Sequence, residues 1–308
     1  MMAMIFSDIK KSIKIILLSI IIVMQCACKS ESEPVEIKLD LEEGKEYTQN
    51  MTSTITAKTL FSEMSMIMTV KMSFLIEKVS DTIYFAKAQY KKVAWTIQSN
   101  SFSETFDTEN SDDSDFKLVG YKVFTNTPFY VALSKNGKVH YVDESETWEK
   151  IASSLAELQL SIEQKEEILI LLKNMAKNLK NHIENIQLFF PDKSVIKGEK
   201  WKKQKESISY RNMIVTSEYQ LIEVKEDYLT IKESVTVSVN KTQDVEMQSA
   251  IEEQNMRDLL EAGIIAGEIK IDRRTGWIIE ANQIGTVTEK LDTLGLLAEV
   301  TKNVKITN

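Results

Sequence analysis

The chain contains very few of the residues that cross-link a fold, ligate metals or interrupt regular structure. Its 308 residues include two cysteines, two histidines, three prolines and nine glycines. Both cysteines lie near the N-terminus, at positions 26 and 28, so the rest of the chain cannot form an internal disulfide. The low proline and glycine content, with 43% hydrophobic and 27% charged residues, is typical of a globular protein and argues against a largely disordered one.

The motifs of common catalytic and cofactor sites are also missing. His140 and His182 are the only histidines, and neither has the cysteine or carboxylate spacing of a metal site. There is no glycine-rich phosphate loop and no Gly-x-Ser-x-Gly nucleophile turn. Adjacent acids such as Asp112 and Asp113 stand in a polar stretch and are expected to be solvated. We therefore predict no catalytic residues, no metal and no cofactor.

The balance of charge is acidic, with a formal value of −8. This argues against nucleic acid as a partner, because phosphate binding depends on clustered lysine and arginine side chains. Basic residues do bunch at one place, where their pattern is typical of the solvated face of a strand: Lys200, Lys202, Lys203 and Lys205.

Residues 1–27 have the layout of a secretion signal. Three lysines precede the apolar run 15–24, which is shorter than the roughly 20 residues that a membrane-spanning helix needs. Ala27 followed by Cys28 resembles the site at which bacterial lipoproteins are acylated and cleaved. Cys28 is the preferred lipid acceptor and Cys26 the second choice. An ordinary cleaved signal and an uncleaved anchor are the alternative interpretations.

Residues 28–36 are polar and acidic and are interpreted as a tether between the lipid and a folded domain. The layout predicts an exported, lipid-anchored protein of the cell envelope, held at the outer membrane. Its body would face the periplasm or be exposed at the cell surface, and both orientations stay open. The membrane is therefore a predicted partner, through acyl chains on the N-terminal cysteine.

Residues 37–308 are predicted to form a single β-rich domain. Every second residue is apolar in several segments, which indicates long strands with one buried face. The apolar positions of the clearest segments are Met64, Met66, Met68, Val70, Met72, Phe74 and Ile76; Tyr84, Ala86, Ala88 and Tyr90; and Leu229, Ile231, Val235, Val237 and Val239. Glycine near the end of the segments 134–138 and 272–277 predicts β-hairpins there.

Between residues 144 and 190 the apolar spacing changes from that of strands to that of helices. Two helices are predicted in this block. The first begins with Asp143 and Glu146, which have capping-box spacing, and the second begins with Ser161 and Gln164, which have the same spacing.

The segments on either side of the helical block, 37–143 and 191–308, contain the same elements in the same order. Gly-Lys-Glu-Tyr at 44–47 corresponds to Gly-Glu-Lys-Trp at 198–201, and a glycine hairpin follows in each half. We predict an α+β fold that is mainly an antiparallel curved sheet or half-barrel. Two pseudo-repeat halves would form the sheet, and a central pair of helices would cover one face.

Three groups of residues together resemble a family of uncharacterised bacterial lipoproteins with a domain of unknown function: 44–47 before the methionine-rich strand, Phe189–Lys193 before 198–201, and Asp272–Ile278. The resemblance covers roughly residues 37–288. It implies the fold and export, and it implies no activity, because the shared residues belong to turns and strands. The segment 245–263 departs from the family pattern and is predicted to be an inserted amphipathic helix of unassigned role.

The methionines of the alternating segment have two interpretations, because methionine fills irregular cores and also lines adaptable apolar sites. Core filling is the first. The second is an apolar pocket beneath the helices that holds an acyl chain or another hydrophobic molecule, lined by Met64, Met66, Met68 and Met72. The predicted function is a non-enzymatic binding module for such a ligand. The alternatives are a structural or protein-interaction component of the envelope and, less favoured, a hydrolase that uses acidic residues.

Overall fold

The computed structural model describes residues 33–58, 62–109, 116–170, 172–173, 183, 189–206, 213–239, 264–290 and 297–308. Residues 36–308 form one compact unit, and the description that follows concerns this unit. Several predictions lie outside the described residues: the secretion signal with Cys26 and Cys28, the acidic pair Asp112 and Asp113, His182, and the helix within 245–263.

Twelve strands form one antiparallel sheet. In chain order they are β1 (Glu46–Lys58), β2 (Glu63–Val79), β3 (Ile83–Ser99), β4 (Ser103–Asp107), β5 (Phe129–Ser134), β6 (Val139–Asp143), β7 (Lys200–Glu206), β8 (Met213–Val224), β9 (Tyr228–Val239), β10 (Ile264–Asp272), β11 (Ile278–Lys290) and β12 (Leu297–Thr307). Their order across the sheet is β6-β5-β3-β2-β1-β12-β11-β10-β9-β8-β7, and β4 pairs with β3. The predicted antiparallel curved sheet with a few helices is confirmed.

Alternation along β2 separates an apolar face from a polar one. Val70, Met72 and Phe74 are buried on one face, which we call the inner face, together with their partners on β3. Lys71 is exposed on the opposite, outer face. Because side chains alternate with a period of two, each strand contributes to the core through every second residue.

One helix connects β4 to β5, a second follows β6, and a further helical segment is described at 162–170. The helix α1 (Phe116–Asn126) packs on the inner face, where the ring of Phe124 lies 5.1 Å from that of Tyr90. α2 (Ser145–Glu157) contacts both α1 and β5. Gly120 of α1 has no side chain, and a Cβ there would collide with Ile168 of the segment 162–170. Helices therefore cover part of the inner face.

The two capping boxes predicted from the sequence have different outcomes. At the first, the Asp143 carboxylate accepts hydrogen bonds from the Ser145 N–H at 3.0 Å and its hydroxyl at 2.6 Å. α2 begins at Ser145 and no side chain caps it, so this box is wrong; Asp143 lies one residue too early. At the second, the Ser161 N–H donates to Gln164 Oε1 at 2.9 Å and the Gln164 N–H donates back to Ser161 Oγ at 3.2 Å. The second box is confirmed.

The two halves of the sheet share backbone hydrogen bonds at matching positions. The Gly44 N–H donates to the Ile76 carbonyl at 2.7 Å, and the Gly198 N–H donates to the Leu221 carbonyl at the same distance. Both glycines have positive φ, and in each half the strand changes register directly after the acceptor residue. A bulge thus stands at the same place in β2 and in β8.

The correspondence continues at the hairpins. The Lys135 N–H donates to the Thr82 carbonyl at 3.2 Å, and the Arg273 N–H donates to the Asp227 carbonyl at 2.9 Å. In the order of the sheet, β1 to β6 lie on one side of β12 and β7 to β11 lie on the other. β12 pairs with β1 and with β11, and so it joins two half-sheets that have the same internal arrangement.

An N-terminal segment, residues 36–41, ties the two glycine hairpins together. The Leu39 N–H donates to the carbonyl of Lys135 in the first hairpin at 2.7 Å, and the Asp40 N–H donates to the carbonyl of Thr275 in the second at 2.9 Å. The side chain of Leu39 is buried. This segment therefore contacts both halves through its backbone.

Trp277 of the second hairpin packs on the first half of the sheet. Its ring lies 5.1 Å from that of Tyr47 and 5.5 Å from that of Phe74, and its indole N–H donates to the Thr48 carbonyl at 3.0 Å. Buried aromatic pairs of this kind contribute roughly 0.5–1.5 kcal/mol beyond their buried area. The two half-sheets share a core at this point.

Replacing Gly276 with alanine is expected to lower the free energy of unfolding more than replacing Gly44. Both residues have positive φ, +68° and +79°, so each alanine costs roughly 1–2 kcal/mol in backbone strain. At position 276 the new Cβ would also collide with the Lys38 carbonyl, whereas nothing lies within 4 Å at position 44. Urea unfolding measures the difference, and equal losses would show that residues 36–41 are not held against the hairpin.

The Asp272 carboxylate organises the second hairpin, since Oδ1 accepts hydrogen bonds from the Arg274 N–H at 3.0 Å, the Thr275 N–H at 2.7 Å and the Thr275 hydroxyl at 2.8 Å. Burial alone would raise the pKa of Asp272. The hydrogen bonds outweigh burial, and the pKa lies below its ordinary value of 3.8. Their stabilisation is therefore present above pH 3.8 and is lost as the pH falls through the lowered pKa.

The variant Asp272→Ala is expected to lose about 1–3 kcal/mol of unfolding free energy at pH 7, because three donors lose their acceptor. The loss should shrink at pH 3, because the carboxylate of the unfolded chain, with its ordinary pKa of 3.8, is then largely protonated. Asp227→Ala, at an exposed position in the neighbouring turn between β8 and β9, is the control and should change stability little. Urea unfolding at both pH values gives the comparison; a loss in Asp272→Ala that is independent of pH would contradict the role of the ionised carboxylate.

Candidate functional site

The four methionines singled out in the sequence all lie on the inner face of β2, but their burial differs. Met72 is 3% exposed and belongs to the core, whereas Met64 is 47% exposed. Met66 and Met68 lie between them and are half-buried. Exposure therefore increases along β2 from Met72 toward Met64, which lies near the N-terminal end of the strand.

Cross-strand neighbours extend the half-buried methionines into an apolar patch. Met66 lies between Ile55 of β1 and Ile97 of β3, and Met68 is opposite Trp95 of β3. All five of these side chains are half-buried, and we call them the inner-face patch. The patch continues the buried stripe of β2 without an intervening polar residue on that strand.

A polar cluster lies on the same face in the second half of the sheet. The Glu233 side chain on β9 is 4% exposed, and its Oε2 accepts a hydrogen bond of 2.5 Å from the Gln283 amide on β11. Among the lysine and arginine side chains that the structure describes, none forms an ion pair with Glu233. A buried carboxylate without a cation is costly, because its lost hydration is only partly replaced.

Tyr219 on β8 completes the polar cluster, since it is the cross-strand partner of Glu233. Burial and, next, the negative charge of Glu233 raise the pKa of the Tyr219 hydroxyl above its ordinary value. The hydroxyl therefore stays protonated and can act as a donor. On its other side it interacts with the side chain of Ser217.

Gly267 on β10 makes the contact between Glu233 and Gln283 possible. It lies between them in the register of the sheet, opposite Glu233 on one side and Gln283 on the other. A Cβ at this position would lie 2.9 Å from Gln283 Cγ and 2.7 Å from the Asn282 carbonyl oxygen. The absence of a side chain lets the glutamine reach across a whole strand to the carboxylate.

The polar cluster and the inner-face patch are connected along one row of the sheet. Gln283 pairs with Val304, Val304 with Ser53, and Ser53 with Met68. Three strand spacings separate Gln283 from Met68, which is about 14 Å. A single elongated molecule on the inner face could therefore contact both.

Gln49 is a second buried polar group on the inner face, opposite Met72. Its side chain is 3% exposed, and neither amide atom has a hydrogen-bond partner within the described part of the chain. A buried unsatisfied amide costs roughly 1–3 kcal/mol. Its position near the core makes it a further candidate contact for a polar ligand group.

The remaining candidates from the sequence do not gather into a site. His140 is exposed on β6. Among the described residues no group of three or more histidine, cysteine or acidic side chains could hold a metal ion. Lys200 and Lys202 lie on one face of β7 and pair with Glu218 at 2.7 and 3.5 Å, as expected for a solvated face. Lys203 lies on the opposite face and pairs with Asp192, so the prediction of a single solvated face is wrong for this residue. No helix in the described ranges is both long and apolar enough to span a bilayer.

The polar cluster was missed in the sequence, although one signal of it was present. The apolar alternation of β9 runs through Ile231 and Val235, and Glu233 interrupts it at an inward position. A charged residue at such a position marks either an error in the strand assignment or a buried polar site. Its partner Gln283 is 50 residues away, and no local pattern connects the two.

Comparison with solved structures identifies a similar fold in lipovitellin, in a structure that concerns lipid-protein interactions in that protein. The TM-score is 0.51 and the sequence identity 9%, and the match covers 87% of this chain and 25% of the lipovitellin chain. At this identity the likeness shows the fold alone, and this chain spans about a quarter of that protein's chain. No curated protein matches this chain.

One family model also matches the chain, over residues 81–278. The matched range begins at the turn between β2 and β3 and ends at the start of β11, so it includes Glu233 and Gly267. The resemblance to a domain of unknown function is thereby confirmed, while lipid attachment stays a prediction. The chain belongs to DUF6263, a family of unknown function.

Proposed function

We propose that this chain is an exported, lipid-anchored, non-enzymatic binding module of the cell envelope that holds a hydrophobic ligand on the inner face of its sheet. The inner-face patch carries the proposal. Ile55, Met66, Met68, Trp95 and Ile97 are half-buried on the inner face, whereas the apolar side chains farther along β2 on this face are buried: Val70, Met72, Phe74 and Ile76. Contiguous apolar surface that folding leaves open is typical of a site for an apolar partner.

Covering this patch with an apolar ligand would be energetically favourable. Each Å² of apolar surface removed from water contributes about 25 cal/mol, so covering several large side chains stabilises a complex by several kcal/mol. Methionine suits the role, because its flexible thioether adapts to ligands of varied shape. The 47% exposed Met64 extends the patch toward the end of β2 and offers an approach from that side.

The clustering of apolar side chains in the inner-face patch is not repeated around Ile67 on the outer face of the same strands. Ile67 lies between Met66 and Met68 in sequence and is exposed on the outer face. Its cross-strand partners are Thr54 and Thr96, which are polar. An isolated apolar side chain of this kind is common on protein surfaces and needs no ligand.

Further observations support the proposal at a coarser level. Lipovitellin, whose fold is similar, is a protein in which lipid-protein interactions have been described. The signal layout ending at Cys28 supports export and lipid attachment. Glu233 contacts no second carboxylate in the described part of the chain, and a hydrolase that uses acidic residues needs an acid and a base. Binding is therefore favoured over hydrolysis.

The double variant Met66→Asp/Met68→Asp tests the patch. We would express the chain from Ser30, analyse it by native mass spectrometry with solvent extraction, and titrate it with the fluorescent fatty acid cis-parinaric acid. The native protein should carry an apolar adduct or bind the probe in equal stoichiometry. The double variant should lose at least about 10-fold in probe affinity, since charged groups would then face the acyl chain.

Ile67→Asp is the matched control, because it places the same charge on the same strand but on the outer face. It should keep the adduct and the probe affinity, and circular dichroism should show that all variants are folded. A clean protein mass together with no probe binding by the native chain would refute the proposal. The structural or protein-interaction role in the envelope would then be the better hypothesis.

A further inference from the structure

We propose that the polar cluster Tyr219–Glu233–Gln283 receives the head group of the ligand, and that this head group is a cation of the amine type. The inference rests on the proposed function, since it assigns the chemistry of the same ligand. It specifies an amphiphile whose ammonium group lies against Glu233 and whose chain extends across β12 to the inner-face patch.

The first argument is the charge of the cluster. Glu233 places a buried carboxylate on the inner face, and its side-chain hydrogen bonds among the described residues are with Gln283 and Tyr219. Both neighbours are neutral donors, so they solvate the carboxylate without neutralising it. A ligand cation would supply the missing charge, and such pairs are strongest when they are shielded from water.

The second argument is access to the carboxylate. Glu233 itself is buried, but Gly267 and Gln283 on the two following strands are half-buried. The Gln283 side chain lies over Gly267 and reaches Glu233 from the side of β11, so the half-buried Gln283 is the more exposed side of the cluster. Tyr219 stands on the opposite side and is buried. A head group would therefore enter from the side of β11, which is also the side of the inner-face patch.

The third argument is the set of acceptors. The Gln283 amide nitrogen donates to Glu233, and its carbonyl oxygen has no hydrogen-bond donor among the described residues and can accept one from a ligand. A primary ammonium has three donors, so it can bond to a carboxylate oxygen and to this carbonyl together. A carboxylate or phosphate head group would meet acceptors and a negative charge instead.

The fourth argument is the distance between head and tail sites. Val304 and Ser53 lie between Gln283 and Met68 on the same row, and neither has a charged side chain. The span of about 14 Å is of the order of an extended medium-length alkyl chain. Dodecylamine therefore fits the row with its nitrogen at Gln283 and Glu233 and its methyl end at Met68.

Three probes with one chain and three head groups test the proposal on the full chain in amphipol, with empty amphipol as the blank. Isothermal titration of dodecylamine, dodecanol and dodecanoate should give dodecylamine the highest affinity, at least about 10-fold above dodecanol. Glu233→Gln keeps the shape and removes the charge. It should lower the affinity for dodecylamine about 10-fold and leave that for dodecanol unchanged.

Glu268→Gln is the matched control, because it removes one negative charge from the exposed outer face of β10. It should change none of the three affinities. If Glu233→Gln does not fold, Gln283→Leu serves instead at a half-buried position and should lower the dodecylamine affinity about 3-fold to 10-fold. A role of the cluster in stability alone would shift the melting temperature without changing the preference among head groups.

The outcomes separate the two proposals. Equal affinity of the native chain for all three probes, or a preference for dodecanoate, would overturn the cationic head group and leave a hydrophobic ligand in place. Binding of none of them would overturn the proposed function and this inference with it. An amine preference that survives Glu233→Gln would also overturn the assignment to Glu233.

Discussion

One apolar face shared by all the long strands is the constraint on which the structure depends. Alternation fixes which side chains point inward, and a slip of one residue in any pairing would exchange the inner and outer faces of that strand. The inner face must be covered, and α1, the hairpin tryptophan Trp277 and the segment 36–41 cover the first half. These elements leave the inner-face patch half-buried. The same face of the sheet therefore forms both the core and the proposed binding site.

Much of the sheet could be predicted because its signals are local. The alternation from Met64 to Ile76, the hairpin glycines and the paired glycines of the two halves all act within a few residues. α1 was not predicted, since Gly120 and several β-branched residues give it low helix propensity. It is held by tertiary packing on Tyr90 and Ile168, which are distant from it in sequence. Such contacts cannot be predicted from the helix propensity of the segment itself.

The candidate site divides in the same way. The methionines could be placed on one face from the sequence, but not the gradient from Met64 to Met72, because exposure depends on which other elements reach that part of the sheet. Glu233 could have been noticed as an interruption. The role of Glu233 depends on Gln283 and on Gly267, which has no side chain. Both residues come next to Glu233 only through the register of β9, β10 and β11.

The segment 36–41 has a consequence for the order of assembly. It is among the first parts of the described chain to be synthesised, yet one of its partners, Thr275, comes more than two hundred residues later. The loop closed by that contact is nearly the whole domain. The entropic cost of closing it is offset only when the second half-sheet has formed and supplies the other contacts. Docking of the segment is thus a late event, and protection of the Asp40 amide from solvent exchange would report completion of the entire sheet.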